Sequence, residues 1–152
     1  MNKIIIIGTE PPCPRCGLLS HFIEKKVEEL DLDAEVRHLC YTDKEADEFA
    51  KSQGLRTGTA KDVAKLIKKE IDKKQLSSLL NGSVAGKTNS YQTYNKINWS
   101  YELDEFLRPY EEEARKVGIL MTPVIIINGE IKHQGSVPEM EKILEWLIKL
   151  KV

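Results

Sequence analysis

The chain has 152 residues, 41% of them hydrophobic and 31% charged, with a formal net charge of -1. That length suits one packed domain spanning 1–152, and a balanced charge with no basic stripe among the aromatics excludes a nucleic-acid surface. The apolar run after Met1-Asn2-Lys3 is only four residues long, so neither a signal peptide nor a membrane span is expected, and three cysteines suit the cytoplasm better than a secreted disulfide scaffold.

Ile4-Ile5-Ile6-Ile7 reads as a strand buried on both faces, the kind found at the centre of a parallel or mixed sheet. Pro11 and Pro12 turn the chain, and Leu18, Leu19, Phe22, Ile23, Val27 and Leu30 recur at helical spacing. Cys13-Pro14-Arg15-Cys16 therefore falls at a strand-to-helix junction. Two cysteines at i and i+3 of a first helical turn share a face within disulfide reach, and Pro14 suits a position with no N–H partner to lose. Unpaired backbone N–H groups, the positive end of the helix dipole and the Arg15 cation all favour a Cys13 thiolate. Cys13 is the expected nucleophile, and the deeper Cys16 is expected to resolve the mixed disulfide.

A C-x-x-C pair is also half of a tetrahedral zinc site. The other candidate ligands are Cys40, His21, His38 and His133, with no second C-x-x-C and no H-x-x-x-H, so the redox reading is preferred and no metal is expected.

Asp31-Leu32-Asp33 closes the first helix, and Ala34-Glu35-Val36-Arg37-His38-Leu39 alternates with period two as a second strand, parallel to the first in a βαβ unit. Cys40 ends that strand on the side of the Cys13 loop. It reads as a small buried hydrophobe, and His38 as a surface or satisfied histidine on either face. Thr42-Asp43-Lys44-Glu45 has capping-box spacing for a helix to about Gln53, closed by Gly54. Thr57-Gly58-Thr59-Ala60 restarts a helix striped by Val63, Ala64, Leu66, Ile67 and Ile71, which Leu76, Leu79 and Leu80 continue or extend by a turn.

Residues 81–98 read as a loop. Its Gly82-Ser83-Val84-Ala85-Gly86-Lys87-Thr88 has three residues between glycines where a phosphate-cradling loop needs four, and Tyr91, Tyr94, Trp99 and Tyr101 read as anchors of the loop to the core. A helix follows from about Ser100 to Val117, with Leu103, Phe106, Leu107, Tyr110 and Ala114 inward. Val124-Ile125-Ile126-Ile127 is a second buried strand, Asn128-Gly129 a hairpin turn, and 130–134 the returning strand. Ser136-Val137-Pro138-Glu139 then caps a last helix, with Met140, Ile143, Leu144, Leu147 and Leu150 facing in.

Strand, helix and strand, then helices, then a ββα unit preceded by Thr122-Pro123, resembles the thioredoxin-like superfamily, in particular its small redox-active disulfide proteins. The resemblance covers about Lys3 to Cys40 and Lys116 to Leu150. It implies an α/β fold with a central four-stranded mixed sheet flanked by helices, and a helical insertion at about 42–101 between strands 2 and 3. It also implies a cis Pro123 whose neighbour Thr122 pairs its backbone with an extended substrate. Proline directly after the first cysteine is closer to glutaredoxins than to the W-C-G-P-C of ordinary thioredoxins. The activity implied is thiol-disulfide exchange on disulfide-containing proteins or small thiols, with electrons from a reductase and no cofactor beyond the Cys13–Cys16 disulfide. The competing classes are a metal-binding protein using the same cysteines, and a redox-sensing interaction protein whose insertion binds a partner.

Overall fold

The computed structural model describes residues 1–10, 13–80 and 100–151, with the side chain of Tyr101 left out. The expectations for Pro11, Pro12 and the 81–99 segment, including the phosphate-loop and aromatic-anchor readings, lie outside the described residues. In chain order the elements are β1 (Asn2–Gly8), α1 (Pro14–Glu29), β2 (Ala34–Cys40), α2 (Lys44–Ser52), β3 (Arg56–Gly58), α3 (Ala60–Ile67), α4 (Lys73–Leu80) and α5 (Tyr101–Ala114). A 3-10 turn at Arg115–Val117 leads to β4 (Ile119–Met121), β5 (Val124–Ile127), β6 (Glu130–Gln134) and α6 (Met140–Ile148).

The main sheet has the order β2-β1-β5-β6, with β1 parallel to β2 and antiparallel to β5, and β5 antiparallel to β6. This is the expected four-stranded mixed sheet, and its centre is made of the two β-branched runs. Ile4 and Ile6, with Ile125 and Ile127, face a core shared with α1, α3, α5 and α6. Ile7, with Val124 and Ile126, faces the opposite core, which holds Ala46 and Ala50 of α2. Each such side chain taken from water contributes about 1.5–3 kcal/mol. Asn128 (φ 50°) and Gly129 (φ 82°) take the left-handed conformations that the two-residue turn between β5 and β6 requires.

Two expectations need correcting. Arg56–Gly58 is a strand, not the start of a helix, and it pairs in parallel with Ile119–Met121 as a second, two-stranded sheet. The insertion between β2 and the strand after Pro123 is thus not purely helical. Its helix α3 begins only at Ala60, where the Asp62 carboxylate accepts the Thr59 N–H at 2.8 Å. Lys68 in the left-handed conformation then ends α3, so that α4 is a separate helix rather than a continuation. The helix expected over 100–117 is present as α5 plus the 3-10 turn. Among the described residues no helix is long and apolar enough to cross a membrane.

Candidate active site

The β1 strand stops at Gly8, and Cys13 stands in extended conformation (φ -71°, ψ 167°) as the residue capping α1, with Pro14 in the first turn as expected. The Cys13 N–H donates to Thr9 Oγ1 at 2.9 Å, and the Cys13 carbonyl accepts the Gly17 N–H, also at 2.9 Å. Cys13 is half-buried and Cys16 fully buried; both are free thiols, with the sulfur atoms 3.2 Å apart.

This pair is electrostatically asymmetric. The hydrogen bond with Cys16 takes the Cys13 thiol from its ordinary 9.0 down to about 5; burial opposes the shift, and the Arg15 charge assists it. The Cys16 thiol is held well above its ordinary value by the same hydrogen bond and by burial. Cys16 is therefore the proton donor of the pair and Cys13 the anion.

Arg15 does more than stand beside Cys13. Its side chain is buried, lies 3.3 Å from the Asp104 carboxylate of α5, and donates to the Gly135 carbonyl and, at 3.2 Å, to the Thr122 carbonyl. One guanidinium therefore connects the residue between the two cysteines with the peptide directly before Pro123. The other Asp104 oxygen accepts the Val137 N–H at 3.1 Å. Sequence reasoning missed Asp104 and Gly135. A signal for Asp104 was present, because a carboxylate bordering the Leu103 and Leu107 stripe of a helix needs a buried partner.

The Thr122–Pro123 peptide is cis, as the resemblance implied. Thr122 is buried, but its backbone is largely occupied: the N–H donates to the Gly58 carbonyl of β3 at 2.9 Å, and the carbonyl accepts from Arg15. Among the described residues, Arg15 is the side chain bonded to that carbonyl, which leaves its second lone pair.

Beside this network, the buried Ser136 hydroxyl donates to Glu111 and accepts from His133 Nε2 at 2.8 Å, and Arg108 bonds Glu111 at 2.6 Å. Burial lowers the His133 pKa. Cys40 is half-buried at the end of β2, opposite Gly8, with its sulfur 3.1 Å from Thr42 Oγ1. His38 is not a surface histidine: Nδ1 lies 3.4 Å from Ser20 Oγ and Nε2 is buried. Among the described residues no group of three or more His, Cys, Asp and Glu is placed to hold a metal ion.

A family model described as a thioredoxin domain matches residues 85–148. That stretch holds α5, β4, the cis peptide, β5, β6 and α6, and it does not include Cys13 or Cys16. No curated protein and no solved structure matches the chain. The family match, together with a β2-β1-β5-β6 mixed sheet flanked by helices and a cis proline at the head of β5, shows a thioredoxin-like fold.

Proposed function

We propose that the protein is a thiol-disulfide oxidoreductase that works through Cys13 and Cys16. The observation that carries this reading is the opposed pair: a Cys13 thiol lowered to about 5 lies 3.2 Å from a buried Cys16 thiol that keeps its proton. At neutral pH Cys13 attacks one sulfur of a partner disulfide, and the partner's other sulfur leaves as a thiolate. Cys16 then attacks Cys13, which releases the partner's second thiol and leaves the Cys13–Cys16 disulfide. Two electrons have passed to the partner, and a reductase restores the dithiol. Disulfide-containing proteins and small disulfides are the substrate classes, and the setting is a reducing compartment such as the cytoplasm.

Pro14 starts the helix that presents Cys13, and Arg15 adds positive charge and fixes the approach of the Thr122 loop. Thr122 and Pro123 orient the substrate through the free side of the Thr122 carbonyl. The test is a redox titration of the thiols in glutathione buffers, with Cys13→Ser and Cys16→Ser as controls. A two-electron transition that vanishes in both variants supports the reading. Thiols that stay blocked until a chelator is added overturn it in favour of a metal-binding protein.

A further inference from the structure

In the β1–β2 ladder, Val36, His38 and Cys40 stand opposite Ile4, Ile6 and Gly8, and Ile4, Ile6 and Val36 belong to the core that α1 closes. Gly8 is where this face comes closest to Cys16. A Cβ at Gly8 would lie 2.5 Å from Cys16 Sγ and 3.1 Å from His38 Nε2, so the two side chains converge over one bare Cα. Among the described residues, His38 Nε2 is buried there without a hydrogen-bond partner. A buried polar atom left unpaired is costly, and this one borders the same bare Cα as the Cys16 sulfur.

We propose that His38 takes up the proton of Cys16 in the resolving step. This inference rests on the oxidoreductase reading and deepens it. Once Cys13 is bonded to the partner, it is no longer the anion that holds the Cys16 proton. The Cys16 S–H then passes its proton to His38 Nε2, and the resulting thiolate attacks Cys13 Sγ. The Cys13–Cys16 bond forms, the bond to the partner breaks, and the partner's sulfur leaves with the electron pair. The proton on His38 goes to that leaving thiolate or to water. Nε2 has its lone pair in the tautomer that keeps the proton on Nδ1, where Ser20 Oγ at 3.4 Å is the acceptor. The groups facing the ring are thus Cys16 and Ser20 of α1, with Ile6 opposite on β1 and Cys40 next on the same strand face. No hydrogen bond joins Nε2 to Cys16 Sγ among the described residues; catalytic hydrogen bonds are often long in a resting enzyme and tighten in the reacting complex.

The experiment uses the reduced full chain in a Cys40→Ser background and a nitrobenzoate disulfide reagent, whose coloured thiolate departs without needing a proton. The first release reports attack by Cys13, the second resolution by Cys16. His38→Asn is expected to leave the first release within about twofold while slowing the second on the order of a hundredfold near neutral pH. That deficit should shrink as alkali ionises Cys16 directly. An unchanged second release, or equal slowing of both releases at every pH, overturns the inference alone. Absence of any second release in the parent overturns the oxidoreductase reading as well. If His38→Asn does not fold, the parent decides. A second-release rate that climbs about tenfold per pH unit to pH 9 overturns the inference, because hydroxide and not a protein base then ionises Cys16, and a shallower rise supports it.

Discussion

The Arg15 guanidinium and the Asp104 carboxylate lie 3.3 Å apart, with their side chains only 5% and 3% exposed, and they join α1 to α5 across 89 residues of chain. Removing one partner of such a pair leaves a buried charge uncompensated, at about 3–5 kcal/mol. Asp104→Asn is therefore expected to lower the unfolding free energy by about 3 kcal/mol in urea titrations. A loss below about 1 kcal/mol for Asp104→Asn would show that the pair is not what holds the two helices together.

Cys13 should be alkylated by iodoacetamide with a half-maximal rate near pH 5, because the thiolate is the reactive form. Linkage gives the sign for stability. The folded value is depressed from 9.0 to about 5, so the reduced protein gains from Cys13 between those limits and loses that gain as pH falls through 5. Cys16 acts oppositely above pH 9, where the fold retains a proton that the unfolded chain gives up. The stability gap between the reduced parent and Cys13→Ser should thus widen from pH 5 to pH 8, and a constant gap would contradict the assignment.

Gly8→Ala places a methyl group 2.5 Å from Cys16 Sγ and 2.8 Å from its Cβ, distances that force a displacement. Overpacking of this kind costs about 1–3 kcal/mol. The variant should unfold at lower denaturant concentration, and Cys16 should become more accessible to alkylation as it is pushed away from β1. Full retention of stability together with an unreactive Cys16 would disprove the close approach.

His133 is expected to make the protein acid-sensitive. Burial lowers its folded pKa from 6.5, so the neutral ring is the one the fold prefers. Stability from this group is complete above pH 6.5 and is lost as pH falls toward the depressed value, where the unfolded chain binds the proton first. His133→Gln should therefore narrow its stability difference from the parent between about pH 7 and pH 5, measured by thermal unfolding. A difference that does not change over that range would remove His133 from the acid response.

The sheet was legible because its central strands are runs of β-branched residues, and Cys13-Pro14-Arg15-Cys16 because a proline between two cysteines marks a helix start. The cis peptide was legible only through resemblance, since Thr122-Pro123 carries no local sign of its geometry. Arg56-Thr57-Gly58 has no apolar alternation, and its pairing with Ile119–Met121 is a long-range event that local pattern does not encode. The burial of Arg15 was hidden for the same reason, because its partners Asp104, Thr122 and Gly135 arrive from far along the chain. His38 was a reading left incomplete: period two places it on the face of Val36 and Cys40, and that face is the one beneath α1.

Pairing between β1 and β5, and the bond between Lys3 N–H and Asn128 Oδ1 across 125 residues, set an order of events during synthesis. The cysteines and the β1–β2 pair leave the ribosome long before the strand that covers the other edge of β1, and before Asp104 can neutralise Arg15. Until β5 arrives, Ile4–Ile7 presents an open, strongly apolar edge, and Cys13 lacks its finished surroundings. Refolding from denaturant should be slow and concentration-sensitive for the same topological reason.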